Sequence, residues 1–409
     1  MRPVPAAQTD RTPEPETLEP ETLGPKTAWW PEAAHGFPAE KLDAFLLWAS
    51  DRGASDIAFQ TGSPAFVEID GKLARATAVS LDGVVMGRLC ERLYGATGEG
   101  ILRSGRAIDC SHSVRLARGF SQRFRCNLAP VQGAAGFAVN ITLRVLPGRP
   151  PKFSELGIEE DIVAAWDLCK GLTLVTGVPG SGKSTLLAAG TRRLLERGAG
   201  RIQSYEAPIE YVFDGIATDT ALMSSAEIPR HFASFAEGLR SSLRRRPSAV
   251  IVGEARDRET VEAVVRAADY GIAVFSTAHT IGVAATVRRM LAEFPAHERA
   301  ERGAALIDAM TLVVTQVLLP NPRGGRTALR EWLAFDAGLK AALLESRQAG
   351  WPARIGAALA ATGNDLAAAA ARAHREGLIE DEGLRRIVAG NEGLTLGPET
   401  LVPMTGDGT

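Results

Sequence analysis

The chain has no apolar run near the roughly 18 residues that a membrane span needs, and no basic segment followed by an apolar stretch at its N-terminus. An integral membrane protein and a secretory leader are therefore not expected, and the expected setting is cytoplasmic. Cysteine is scarce: Cys90, Cys110, Cys126 and Cys169 lie far apart, with no C-x-x-C pair and no histidine at zinc spacing. That excludes a disulfide framework and a structural zinc. Neither sign of charge is in excess, since 46 Lys and Arg against 48 Asp and Glu leave a net charge of −2. No global basic field gathers DNA or an anionic membrane, and no basic-aromatic groove is visible, so direct nucleic-acid binding is not expected.

What is present suits a globular protein of two or three domains. Hydrophobic residues make up 45% and charged residues 23% of 409, enough for a sizeable core at about 100–200 residues per domain. Residues 1–37 read as a disordered tail with repeated Pro-Glu-Thr units, in which Trp29-Trp30 is either a short interaction motif or two incidental tryptophans of a solvated extension. From Glu40 the pattern changes. Leu42, Phe45, Leu46 and Ala49 have helical spacing, and short alternating runs at 56–59 and 65–69 are closed by Asp70-Gly71, a tight-turn pair. Further strand-like runs at 120–128 and 136–145 complete a small α+β domain over 38–148, and Gly148-Arg149-Pro150-Pro151 marks a linker at 149–153.

Chemistry begins after that linker. Leu172-Thr173-Leu174-Val175-Thr176 is a buried-strand run, and Gly177 to Ser184 satisfies G-x-x-x-x-G-K-[ST] before a helix opens at Thr185. Gly177, Gly180, Ser181 and Gly182 let backbone N–H groups wrap phosphates at the positive end of the helix. Lys183 would reach the β- and γ-phosphates of ATP, and the Ser184 hydroxyl would ligate Mg²⁺.

Other polar residues fall at strand ends. Ala249-Val250-Ile251-Val252 ends in Gly253-Glu254, which makes Glu254 the candidate for orienting or deprotonating the attacking water. Glu206 and Glu210 follow the run Ile202–Tyr205, and spacing alone leaves them as site carboxylates or turn acids. His279 follows the run Ala273–Thr277, as a γ-phosphate sensor or a surface histidine. Over Phe232–Arg246, read as helical, Arg240 and Arg244 lie one turn apart, as a clamp reaching across a subunit boundary or as a solvated basic face.

These stretches together resemble the secretion-ATPase superfamily, and within it the PilT-like and DotB/TraJ-like branch. The resemblance is carried by Ala54–Ile57, Arg123–Asn127, the phosphate loop, Glu206-Ala207-Pro208-Ile209-Glu210, Leu239–Arg244, Val252–Thr260 and Ser276–Thr280, in order over about 40–335. It implies an α/β fold: a PAS-like N-terminal domain, a RecA-like P-loop ATPase core at 154–336 and a hexameric ring. It implies that Glu254 is the Walker B glutamate, that Glu206 and Glu210 belong to an acidic box, and that His279 belongs to a histidine box. Arg123 and Arg125 match N-domain arginines that approach the phosphates, and Arg240 and Arg244 match arginines near the nucleotide. Ala207 resembles the DotB/TraJ branch, where the pilus motors usually carry Asp. Tyr270-Gly271-Ile272 replaces the usual Thr-Gly-His and removes one histidine-box member.

Residues 337–393 are rich in Ala, Leu and Arg at helical spacing, with two helices flanking Gly363-Asn364-Asp365, and 394–409 reads as a tail. The resulting expectation is a cytoplasmic ATPase motor, peripheral to an inner-membrane secretion or conjugation complex. The alternatives are a pilus-retraction motor and an ATP-binding assembly scaffold with little turnover.

Overall fold

The computed structural model describes residues 30, 37–69, 71–117, 120–134, 136–146, 148–167 and 170–390. The chain first builds α1 (Leu42–Asp51), β1 (Ala54–Gln60), β2 (Phe66–Ile69), β3 (Lys72–Arg75), α2 (Gly83–Tyr94) and α3 (Gly98–Arg103). Three longer strands follow, β4 (Ile108–Ala117), β5 (Phe120–Gly133) and β6 (Gly136–Leu146). All six strands form one sheet in the order β3-β2-β1-β6-β5-β4, and every pairing in it is antiparallel. The helical spacing in α1 does what the period predicts, burying Leu42, Phe45, Leu46 and Ala49 on one stripe. Gly71, at φ 73°, turns β2 into β3.

One sequence expectation is corrected at the N-terminus. Trp30, grouped there with a solvated tail, is 4% exposed, its ring 5.3 Å from that of Phe37 and 5.2 Å from that of Phe45. Its backbone N–H donates to the Ala76 carbonyl at 3.0 Å. An indole in contact with two phenyl rings is core. The rest of the tail expectation, and that for 394–409, lies outside the described residues.

The second half holds α4 (Glu160–Asp167), β7 (Gly171–Thr176), α5 (Lys183–Glu196), β8 (Gly200–Glu206), β9 (Ala221–Glu227), α6 (Phe235–Ser242) and β10 (Ala249–Val252). It continues with α7 (Arg258–Asp269), β11 (Ala273–Ala278), α8 (Val283–Ala292), α9 (Arg299–Ala309), β12 (Met310–Pro320) and β13 (Arg326–Ala334). Seven strands form a sheet ordered β13-β12-β7-β11-β10-β8-β9, parallel except for the β12–β13 pair. Its central strands are buried on both faces, which is why they read as continuous apolar runs rather than alternating ones. Leu172, Leu174, Val250, Val252 and Val274 fill one face beneath α6–α9; Val175, Ile251 and Phe275 fill the other beneath α4 and α5. This is a RecA-like α/β layer arrangement. Trp166 of α4 stacks on Phe275 at 4.7 Å, and α5 passes so close that a Cβ at Gly190 would lie 2.0 Å from the indole.

The C-terminal part is helical, as expected, with four α-helices among the described residues: α10 (Ala337–Leu344), α11 (Trp351–Thr362), α12 (Leu366–Arg375) and α13 (Asp381–Val388). Gly363, at φ 64°, closes α11, and the Asp365 carboxylate accepts the Ala368 N–H at 2.8 Å to cap α12. Trp351, Ile355 and Leu359 of α11 join the main core, whereas α12 and α13 pack on Val317, Leu319 and Leu329 of the sheet edge. Among the described residues no helix is long and apolar enough to cross a membrane.

Candidate nucleotide-binding cleft

The C-terminal ends of β7, β8, β10 and β11 open into one cleft of about 910 Å³. This is the edge at which parallel α/β sheets bind ligands. The loop from β7 to α5 forms its floor, pressed against β12. A Cβ at Gly177 (φ 142°) would sit 2.3 Å from the Gln316 carbonyl oxygen, and one at Gly182 (φ 83°) 2.7 Å from Gln316 Nε2. Glycine is thus required at both positions for conformation, and at Gly177 for space as well. Ser181 Oγ is buried with no hydrogen-bond partner among the described residues, and Gly182, the residue before α5, offers no side-chain cap. A helix N-terminus with uncapped N–H groups and an orphaned hydroxyl beside it fits a bound anion.

Lys183 lies buried at the start of α5 and donates to the carbonyls of Gly177 at 2.8 Å and Val178 at 2.9 Å. Burial pushes its pKa down to about 8, against the opposing pull of Glu254 and Glu210. His279, just beyond β11, bridges lysine and glutamate: its Nδ1 lies 3.4 Å from Lys183 Nζ and its Nε2 3.4 Å from Glu254 Oε1. An ammonium can only donate, so Nδ1 is the acceptor and the Nε2–H points to the carboxylate. Burial, then the Lys183 charge, lower the pKa of this imidazole. Glu254 follows β10 and also faces Arg256, with its Oε2 3.7 Å from the guanidinium. Thr277 Oγ1 donates to the Gly253 carbonyl at 2.5 Å, tying the two strand ends together beneath these groups. Glu206, at the end of β8, has its pKa pushed up to about 7 by burial. Thr185 Oγ1 meets Tyr211 Oη at 3.1 Å.

With phosphate loop, lysine, histidine and strand-end glutamate in one cleft, comparison with known proteins is decisive. Residues 33–336 match the family described as Type II/IV secretion system protein, T2SSE. The chain is a T2SSE protein. It is 31% identical over 308 residues to the type IV pilus retraction ATPase PilT of Pseudomonas aeruginosa, covering 75% of this chain and 86% of that one. It is 34% identical over 323 residues to a twitching motility protein of Neisseria gonorrhoeae, covering 75% and 83% respectively. Among solved structures it is similar to the ATPase DotB of Legionella pneumophila, with a TM-score of 0.83 and 36% identity over 89% of this chain and 99% of that one. It is also similar to the pilus retraction motor PilT with bound ADP, with a TM-score of 0.73 and 28% identity over 85% and 96%.

In this T2SSE chain the expected site residues do not all meet. Gly180, Gly182, Lys183, Ser184, Thr185, Glu206, Glu210, Glu254, His279 and Arg125 line the cleft; Gly177 and Ser181 shape the loop from beneath. Arg123 does not reach it. Its Nη2 donates to Ser111 Oγ at 2.7 Å and to the Ile209 carbonyl at 2.9 Å, beside Glu227. Glu227 accepts from the Ser111 hydroxyl at 2.5 Å and from the amides of Ser111 and Ile209, both at 3.3 Å, so it joins β4 to the loop between Glu206 and Glu210. Arg240 and Arg244 are exposed and outside this chain's own cleft. The helix expected over 232–246 is shorter. Ser234 caps α6 by accepting the Glu237 N–H, a single 3-10 turn follows Ser242, and Arg246 takes a left-handed φ of 49°.

Several residues in or beside the cleft went unnoticed in the sequence: Glu227, Gln316, Arg330 and Tyr211. For two of them a signal existed. Gln316 interrupts the apolar run 313–319, and Arg330 interrupts 328–335; a polar residue inside a buried strand needs a partner.

The depressed Lys183 pKa has a measurable consequence. Bound phosphate favours the ammonium, so the bound-state pKa lies above 8 and binding takes up a proton between the two values. Nucleotide affinity is therefore expected to fall as pH rises from 8 to 9.5. Titration calorimetry at pH 9 in buffers of different ionisation enthalpy checks this; zero proton uptake would contradict it.

Proposed function

We propose that this T2SSE protein is an ATPase motor that powers a type IV, IVB-like, secretion system or a conjugal transfer system from the cytoplasmic side. The observation that carries it is the likeness to DotB along nearly that protein's whole length, together with Ala207 in the acidic box. ATP enters with its phosphates over the 177–182 loop, and Lys183 leaves the Gly177 and Val178 carbonyls for the β- and γ-phosphates. Ser184 would hold Mg²⁺, which would offset the negative charge of the phosphates. Glu254 receives the proton of the water that attacks the γ-phosphorus, and ADP leaves with the departing oxygen. His279, already in contact with both Lys183 and Glu254, is placed to register loss of the γ-phosphate. Glu206 and Glu210 complete the acidic wall.

Arg125 approaches from the first sheet. Arg240 and Arg244, exposed on each subunit, complete the neighbouring site in a homo-oligomer, a hexamer on the family resemblance. The remaining partners are components of the inner-membrane complex, and no nucleic acid is bound directly.

A second reading, pilus retraction, is favoured by the identity to PilT and to the twitching motility protein. A strain lacking the gene separates them. Loss of protein or plasmid transfer with intact surface motility supports the first. Lost motility with intact transfer moves the assignment to retraction, and no change in either removes both.

A further inference from the structure

Gln316 and Arg330 sit side by side on β12 and β13, 4% and 3% exposed. Gln316 Nε2 donates to the Ser181 carbonyl of the phosphate loop at 2.7 Å, and its Oε1 accepts from Arg330 Nε at 2.8 Å. Arg330 continues the chain. Its Nη1 donates to the Gly157 carbonyl and to Glu159 Oε2, and its Nη2 to the Leu156 carbonyl, each at 3.1 Å. A guanidinium has no acceptor, so Arg330 forces the amide oxygen of Gln316 toward itself and the NH₂ toward Ser181. The direction of every hydrogen bond in the series is thereby set from one end. Leu156, at the far end, lines the same cleft as the phosphate loop. One buried run of hydrogen bonds therefore links two walls of the site.

We propose that Gln316 and Arg330 are positioning residues for nucleotide: Gln316 occupies the Ser181 carbonyl so that it cannot turn toward the phosphates, and Arg330 orients Gln316 while fixing the loop to segment 156–159. This rests on the cleft being a nucleotide site. A carbonyl rotated inward would present its negative end to a triphosphate, whereas the loop must present N–H groups.

The test is calorimetric titration of Mg²⁺–ADP into the full chain and its variants, with thermal midpoints measured alongside. Gln316→Glu keeps the size and the acceptor for Arg330 but cannot donate to Ser181. It is expected to bind nucleotide about tenfold or more weakly with a midpoint close to that of the unaltered protein. Gln316→Leu should lose a similar factor. Arg330→Met should lose less, since Gln316 can still donate when its amide is unguided, and the double variant should be no weaker than Gln316→Leu alone. A merely structural role would shift the midpoints and leave the nucleotide losses additive. Undiminished binding by Gln316→Glu, or by Gln316→Leu should the first not fold, overturns the proposal and leaves the ATPase reading standing. Additive losses overturn the Arg330 part. Absence of binding by the unaltered protein overturns the nucleotide site itself and this proposal with it.

Discussion

Replacing Glu254 by Gln is expected to cut phosphate release from ATP by about 10²- to 10³-fold, the contribution of one well-placed general base, while nucleotide still binds. The amide keeps the volume of the carboxylate and can still accept from His279 Nε2, now 3.4 Å from Glu254 Oε1, so the cleft stays assembled. What disappears is the group that receives the proton. Steady-state phosphate release and calorimetric affinity, measured on the same preparations, separate the two effects. Equal release by both proteins would take Glu254 out of its role. Nucleotide binding without turnover in the unaltered protein would instead support the assembly scaffold.

Lys183→Ala acts on binding rather than on proton transfer. Nζ is the cation at the mouth of the 177–182 loop, and in the free protein it already neutralises two loop carbonyls, those of Gly177 and Val178. Removing it forfeits a charge-assisted contact of about 3 kcal/mol to the phosphates, or about a hundredfold in affinity, and leaves two acceptors turned toward the anion. Transfer by a stably expressed Lys183→Ala strain is expected to fall to the level of the gene deletion. Normal transfer would contradict the motor assignment even with the nucleotide site intact.

The candidate nucleotide site was legible because each of its parts sits at the end of an apolar run. Thr176, Tyr205, Val252 and Ala278 close or nearly close strands whose two-sided burial makes them continuous in sequence, and the residues that follow fall at one sheet edge. β3 and β4 were missed for the opposite reason. β4 carries Asp109, Ser111, His112, Ser113 and Arg115, so its alternation is diluted by polar residues, some with partners far along the chain, as Asp43 of α1 is from His112. Ser111 is an example: its partners, Arg123 and Glu227, lie 12 and 116 positions away. No local pattern shows such a node. The spacing of Arg240 and Arg244 implied a shared helix face, but α6 stops at Ser242, between them. Gln316 and Arg330 could have been flagged as polar interruptions, yet the Ser181 carbonyl that Gln316 meets is visible only once β12 lies against the phosphate loop.

Trp30 bears on how this protein should be handled at the bench. The change of composition near residue 38 invites trimming at that point, and the shortened polypeptide would lose Trp30 and Phe37, two of three mutually packed rings of which Phe45 is the third. A hole of that size in a small domain invites aggregation during preparation, which an experimenter would blame on the ATPase half. Recombinant versions should therefore begin upstream of this tryptophan.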